Sequence, residues 1–222
     1  MAFRHSRVVM AIALGVMATL GRAHAANDAA ARCVALTGVD LSSDLRDAPT
    51  RIIQAKQIDA TDGKPAHCQV TGYVVPNVGF LLRLPSDHWN GKMVQVACGA
   101  FCGSTDDQHY VFNCNTPLRR GYACIVSNNG HQSNPWDALW AYDNLQANLN
   151  QAYRGPHVTA LAGKAIANHY YGELPRKSYF MGCSNGGRQG LMLAQRFPRD
   201  FDGIVAGSPE LTQTLLNEAG VR

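Results

Sequence analysis

The 222-residue sequence predicts an α/β fold. Apolar runs of strand length alternate with segments of helix length, which is the pattern of a largely parallel sheet covered by helices. Hydrophobic residues make up 46% of the chain and charged residues 16%, a composition unlike that of disordered, collagen-like or multi-pass membrane proteins. A chain of this length can bury one sizeable core, so one compact domain is expected.

The elements are predicted in order along the chain. Residues 26–72 mix short apolar stretches with polar breaks, so we expect an irregular N-terminal arm, followed by the α/β domain over residues 73–222. Five apolar runs predict strands at Phe80–Leu84, Met93–Ala97, Tyr122–Val126, Ser178–Met181 and Gly203–Ala206. Apolar residues at helical spacing predict a helix over 157–171, and a second helix is predicted over Asn185–Phe197, ended by Pro198.

The first 25 residues are predicted to be a secretory signal peptide. A basic start with Arg4 and Arg7 precedes an apolar run from Val8 to Leu20, and small residues lead to a cleavage site after Ala25. The apolar run is shorter than the roughly 20 residues that a membrane-spanning helix needs, which disfavours a membrane anchor. We therefore expect a secreted or periplasmic protein.

The balance of charge disfavours a nucleic-acid partner. Lys and Arg number 20 against 16 Asp and Glu, a net charge of +4. Three of the positive charges, Arg4, Arg7 and Arg22, belong to the predicted leader, so the rest of the chain carries 20 − 3 = 17 against 16, or +1. A near-neutral body has no basic stripe to neutralise phosphates. The expected partner is a small molecule or a neutral polymer, with no nucleic acid and no membrane.

Seven cysteines in an exported chain predict a disulfide framework with one cysteine left over. Cys98 and Cys102 are four residues apart, but no second half with histidines follows, so a zinc site is not expected. Cys98, Cys102, Cys114 and Cys124 could pair with one another in three ways, and the sequence does not choose among them.

The motif with the most specific chemistry is Gly182-Cys183-Ser184-Asn185-Gly186. A G-x-S-x-G pattern between a strand and a helix is typical of a sharp turn that lifts a nucleophilic serine above a sheet. Side chains two residues before and after the serine would clash, which the two glycines avoid. The pattern predicts Ser184 as a nucleophile and the backbone N–H of Asn185, at the positive end of the helix, as an oxyanion donor. The alternative is a glycine-rich turn around a buried serine.

A second oxyanion donor is expected in the loop that follows the predicted strand Met93–Ala97. Small residues at Gly99 and Ala100 let the backbone approach a tetrahedral intermediate, and the N–H of either residue fits this role. The alternative for this loop is a disulfide-tied turn with a structural glycine.

From about Phe80 to Pro209 the chain resembles the tannase and feruloyl esterase family of secreted serine esterases. The resemblance is carried by Trp89–Met93, Gly99–Gly103, Gly130-His131, His157–Lys164, Ser178–Gln189, Ala194–Pro198 and Phe201–Gly207. It implies an α/β-hydrolase fold and the hydrolysis of aromatic-acid esters, such as feruloyl or galloyl esters, from small molecules or plant polymers. It also implies a Cys33–Cys68 disulfide, and a disulfide from Cys183 to a cysteine beside the catalytic histidine.

The sequence departs from the family after the serine. An α/β-hydrolase presents its triad in the order Ser, acid, His, yet the last histidine here is His169. Asp200 and Asp202 come too early for the triad acid and are expected to be structural. We therefore expect a truncated fragment with little activity, the N-terminal portion of the catalytic domain, in which the lid, the C-terminal strands, the triad Asp and His and the partner of Cys183 are absent. The family's calcium site is expected in that lid, so this chain is predicted to hold no cofactor or metal.

Two alternatives remain open. His131, at the end of a predicted strand, and His157, at the start of a helix, could complete a triad of different order, although positioning of loops by hydrogen bonds is the expected role of both. His109 carries no separate signal. From another class of function, a non-catalytic secreted binding module retaining a hydrolase half-fold would have the same sequence pattern.

Overall fold

The computed structural model describes residues 27–107 and 112–212. The predicted signal peptide and His109 lie outside these residues. The described chain begins in helix α1, over 27–35, which a 3-10 turn at Leu36–Gly38 continues. Seven strands follow: β1 Thr50–Ile58, β2 His67–Val74, β3 Val78–Pro85, β4 Lys92–Val96, β5 Ala123–Ser127, β6 Lys177–Cys183 and β7 Gly203–Gly207. The other α-helices are α2 Asn115–Arg119, α3 Leu145–Leu149, α4 Gly155–Tyr171 and α5 Asn185–Arg196.

All seven strands belong to one mixed sheet in the order β1-β2-β3-β5-β4-β6-β7. The pairs β1–β2, β2–β3 and β3–β5 are antiparallel, whereas β4 pairs in parallel with β5 and β6, and β6 with β7. The α/β prediction is confirmed, and each of the five predicted strands lies within two residues of an observed one. The parallel strands place their carboxyl ends, and the loops that follow them, at one edge of the sheet.

The prediction of an irregular N-terminal arm over residues 26–72 is wrong for much of that range. Strands β1 and β2 form the antiparallel end of the main sheet, and the boundary expected between residues 72 and 73 falls inside β2. Residues on β2 alternate between buried and half-buried, as on a strand with only one face in the core. The arm is thus part of the domain's own sheet and core.

Helix α4 packs on one face of the sheet through a stripe of small residues. A Cβ added at Gly163 would lie 3.0 Å from the sulfur of Met93 on β4 and 3.1 Å from Ile125 on β5. Ala162 and Ile166 are fully buried beside it. The predicted helix is confirmed, although it begins at Gly155 and follows a π-helical segment, Asn150–Arg154, that periodicity did not predict.

Helix α5 covers the same face over β6 and β7, with Leu193 buried against Phe180. On the opposite face, Tyr179, Met181 and Val205 line an open apolar groove of about 580 Å³. No helix in the described part of the chain is long and apolar enough to cross a membrane.

Three disulfides lie within the described residues: Cys33–Cys68, Cys98–Cys102 and Cys114–Cys124. The pairing implied by the family resemblance for Cys33 is present, and the choice among the other four cysteines is resolved. Cys183, half-buried next to the serine, has no disulfide partner within the described residues.

The Cys33–Cys68 disulfide should stabilise the fold more than Cys114–Cys124. All four cysteines are completely buried, so the pairs differ chiefly in the separation they span, 35 residues against 10. Chain entropy predicts a loss in the free energy of unfolding of about 4 kcal/mol for Cys33→Ala/Cys68→Ala and about 3 kcal/mol for Cys114→Ala/Cys124→Ala. Urea unfolding measures both, and the reverse order of stability would contradict the prediction.

Candidate active site

Ser184 occupies the turn between β6 and α5 in a conformation that few residues adopt. Its backbone angles are φ 59° and ψ −119°, and its side chain is exposed. Such an angle in a non-glycine residue costs on the order of 1–3 kcal/mol and is kept only where the surroundings hold it. The N–H of Ser184 donates to the carbonyl of Gly207 at 3.0 Å, and its carbonyl accepts from the N–H of Arg188 at 3.0 Å.

The two glycines of the motif are required by close packing of the backbone. A Cβ added at Gly182 would lie 2.6 Å from the carbonyl oxygen of Gly186 and 2.7 Å from the Cβ of Ala97. A Cβ at Gly186 would lie 2.8 Å from the same Cβ of Ala97. The turn therefore fits tightly against the end of β4, and a side chain at either glycine would push it away.

Asn185 begins α5, where the backbone N–H groups of the first turn have no acceptor within the helix. Its side chain is fully buried: Oδ1 accepts from Nε of Arg188 at 3.0 Å, and Nδ2 contacts the sulfur of Cys102 at 3.4 Å. Burial lowers the pKa of Arg188, with Glu210 acting in the opposite direction. These contacts fix the start of α5 against the loop after β4.

The Cys98–Cys102 disulfide holds that loop on α5. Nε2 of Gln189 lies 3.5 Å from both sulfurs. Within the loop, the N–H of Cys102 donates to the carbonyl of Gly99 at 2.9 Å, and Ala100 has a positive φ of 48°. The N–H groups of Gly99 and Ala100 donate to no carbonyl among the described residues, so both remain candidates for the second oxyanion donor.

His131 follows β5 and lies beside this loop, where it is buried at 7% exposure. Its ring stacks on Trp140 at 3.8 Å, and Trp140 contacts Phe101 edge to face. Burial lowers the pKa of His131 and outweighs the opposing effect of the Phe101 backbone. Neither ring nitrogen has a hydrogen-bond partner of good geometry in the described chain, so the expected role in hydrogen bonding is not seen.

His157 joins α4 to the turn after α5. Its Nδ1 lies 2.7 Å from Oδ2 of Asp200, and its ring stacks on Phe197 at 3.8 Å. Asp202 accepts from the backbone N–H of Ser178 and from Lys177. Both aspartates therefore hold elements together, and no hydrogen bond joins a histidine to Ser184 within the described residues.

No group of three or more His, Cys, Asp or Glu side chains in the described ranges is arranged to bind a metal. The site consists of an exposed serine on a strained turn, the first turn of a helix, and a loop in which the N–H groups of Gly99 and Ala100 donate to no carbonyl among the described residues. In a mixed sheet with helices on the face of its parallel strands, this arrangement defines an α/β-hydrolase.

Comparison with known proteins gives the family. The family model described as tannase and feruloyl esterase matches residues 63–219, and the chain belongs to this family. An uncharacterised esterase of Xanthomonas campestris is 34% identical over 206 residues, covering 89% of this chain and 35% of that protein. The mono(2-hydroxyethyl) terephthalate hydrolase of Piscinibacter sakaiensis is 37% identical, over 65% of this chain and 27% of that protein.

A solved structure agrees with the family. Feruloyl esterase B from Aspergillus oryzae superposes with a TM-score of 0.70 at 25% identity, covering 87% of this chain and 40% of that one. The chain thus spans about a third of the length of the relatives it matches.

Gly182→Ala should destabilise the turn, because the new methyl group meets the backbone of Gly186. We expect a loss of about 1–3 kcal/mol in the free energy of unfolding, typical of an overpacked site. Gly38→Ala is the matched control, since an added Cβ there meets no atom within 4 Å. Equal stability of the two variants in urea unfolding would show that the close packing at Gly182 is unimportant.

Proposed function

We propose that the protein is a secreted serine esterase that hydrolyses esters of aromatic acids, with Ser184 as its nucleophile. The observation that carries the proposal is the exposed Ser184 on its strained turn, beside a loop in which the N–H groups of Gly99 and Ala100 donate to no carbonyl among the described residues. Positioned N–H donors of this kind stabilise the oxyanion of acyl transfer.

The proposed reaction proceeds through an acyl-enzyme. Oγ of Ser184 attacks the ester carbonyl while its proton passes to the histidine that the family resemblance implies as the general base. The N–H of Asn185 and that of Gly99 or Ala100 stabilise the oxyanion. Collapse expels the alcohol, which takes the proton, and water then releases the acid and restores the serine hydroxyl.

The acyl group is proposed from the names of the relatives. The names of two relatives, mono(2-hydroxyethyl) terephthalate hydrolase and feruloyl esterase B, both describe enzymes that act on esters of aromatic acids. Export through residues 1–25 is supported by the three disulfides, which persist in oxidising compartments.

The variant Ser184→Ala, made in the full exported protein, tests the proposal. Loss of the nucleophile should lower kcat/KM for methyl ferulate and methyl gallate by at least about 10³-fold, because only oxyanion contacts and binding remain. A fluorophosphonate should label the parent once, at Ser184. The control Ser43→Ala changes an exposed serine on the N-terminal arm and should leave both readouts unchanged.

Undiminished hydrolysis by Ser184→Ala would contradict the assignment of the nucleophile. A parent protein that neither hydrolyses these esters nor takes up the label would instead favour the non-catalytic binding module.

A further inference from the structure

Arg188 breaks a local rule of helix formation beside the serine turn. It lies in the first turn of α5, four residues after Ser184, and it is half-buried. A cation there meets the positive end of the helix dipole, where an acidic residue would be stabilising, yet this turn contains no acidic residue. A residue that breaks a local rule at such a cost is expected to have a functional reason.

The guanidinium group of Arg188 donates in three directions. Its Nη2 donates to the carbonyl of Gln151 at 2.9 Å and its Nη1 to the carbonyl of Ala152 at 3.1 Å, both in the π-helical segment Asn150–Arg154. Its Nε donates to Oδ1 of Asn185 at 3.0 Å. The planar guanidinium holds its donors in a rigid fork, so the three acceptors are fixed relative to one another.

The two carbonyls need a donor because Pro156 interrupts the hydrogen bonds of the helix. Its nitrogen carries no proton, so it cannot donate to Ala152, four residues back, or to Gln151, five residues back. The N–H of Gly155 donates to Asn150 in the π-helical pattern instead of to Gln151. The guanidinium group therefore fills, from a second helix, a gap that the sequence of the first helix creates.

The same fork reaches the residue that carries the proposed oxyanion donor. The side chain of Asn185 is held between Arg188, which donates to its Oδ1, and the sulfur of Cys102, which its Nδ2 contacts at 3.4 Å. Asn185 is completely buried, so loss of either contact would leave an amide group without a partner. The start of α5 is thereby tied to the π-helical segment on one side and to the loop after β4 on the other.

The peptide group between Ser184 and Asn185 is also held from its carbonyl end. That carbonyl belongs to Ser184, and it accepts from the backbone N–H groups of Arg188 and Glu210 at 3.0 and 3.2 Å. Hydrogen bonds in a chain polarise one another, so two donors to this carbonyl strengthen the N–H at the other end of the peptide group. The N–H of Asn185 is therefore strengthened by these backbone contacts and aimed by the side-chain contacts of the same residue.

We propose that Arg188 is a positioning residue for the oxyanion donor of Asn185, which it aligns from the π-helical segment Asn150–Arg154. The inference rests on the proposed esterase function and deepens it. In this role Arg188 need not touch the substrate, because it determines where the N–H of Asn185 points as negative charge develops on the ester oxygen. Misplacement of such a donor weakens binding of the transition state and not of the substrate, so the effect falls on kcat and not on KM.

Arg188→Ala in the full exported protein tests this role on methyl ferulate. We expect kcat to fall by at least about tenfold while KM changes by less than about twofold. Binding of phenylboronic acid, which forms a tetrahedral adduct with a nucleophilic serine, should weaken by a factor similar to that in kcat/KM, because the adduct needs the same N–H. Arg188→Lys keeps the charge without the fork, so its kcat should lie between those of the parent and of Arg188→Ala.

Arg119→Ala is the matched control. Arg119 ends α2, and its side chain also donates to a backbone carbonyl, that of Gly63, and to the hydroxyl of Thr116, each at 3.1 Å. None of these contacts reaches the serine turn, so kcat, KM and the affinity for phenylboronic acid should equal those of the parent. Urea unfolding shows whether each variant is folded in the assay; a purely structural role would lower stability and leave the kcat of the folded protein unchanged.

Parental kcat in folded Arg188→Ala would overturn the proposal, as would a rise in KM alone with unchanged affinity for phenylboronic acid. If Arg188→Ala does not fold, Arg188→Lys provides the same two readouts, and parental values there would overturn the proposal equally. Failure of the esterase proposal has a different signature. In that case the parent protein itself would neither hydrolyse methyl ferulate nor bind phenylboronic acid, and both proposals would be overturned together.

Discussion

The close approach of Gly182 and Gly186 to Ala97 is the contact on which the rest of the site depends. Ser184 can hold a φ of 59° only because the backbone on either side is fixed, and this contact fixes it against the end of β4. The pairing of β4 with β6, in which Val96 lies opposite Met181, brings the two chain segments together. The strain at the serine is thus offset by ordinary sheet pairing and by the absence of two side chains.

The same contact joins the nucleophile to the oxyanion loop. Because the turn fits against the end of β4, the loop that follows β4 lies directly over the start of α5. Its Cys98–Cys102 disulfide contacts Asn185 and Gln189, so the two proposed sources of N–H donors form one rigid unit. Preorganisation of this kind matters because donors that are already aimed need no rearrangement as charge develops.

The sequence predicted those parts whose signals are local. Strands β3 to β7 are apolar runs, α4 has a regular period, α5 lies between the serine motif and Pro198, and the serine turn has its own motif. It did not predict β1, where a bulge between Ile52 and Gln54 breaks the alternation, or β2, where Gln69, Thr71 and Tyr73 face away from the core. The sequence also did not predict the open cleft of about 380 Å³ that Thr71, Thr105 and Asn128 help to line, because these residues are distant along the chain and only the strand order brings them together.

Residues 98–107 form the loop that follows β4, and its far end is anchored by the ion pair between Asp107 and Arg83. Burial alone would raise the pKa of Asp107, but hydrogen bonds from Arg83 and from the N–H of Cys114 outweigh it and hold the pKa below its usual range. A carboxyl with a lowered folded pKa contributes its full stability above the ordinary carboxyl pKa and loses it only as the pH falls through the lowered value. The loop is therefore anchored throughout the neutral range.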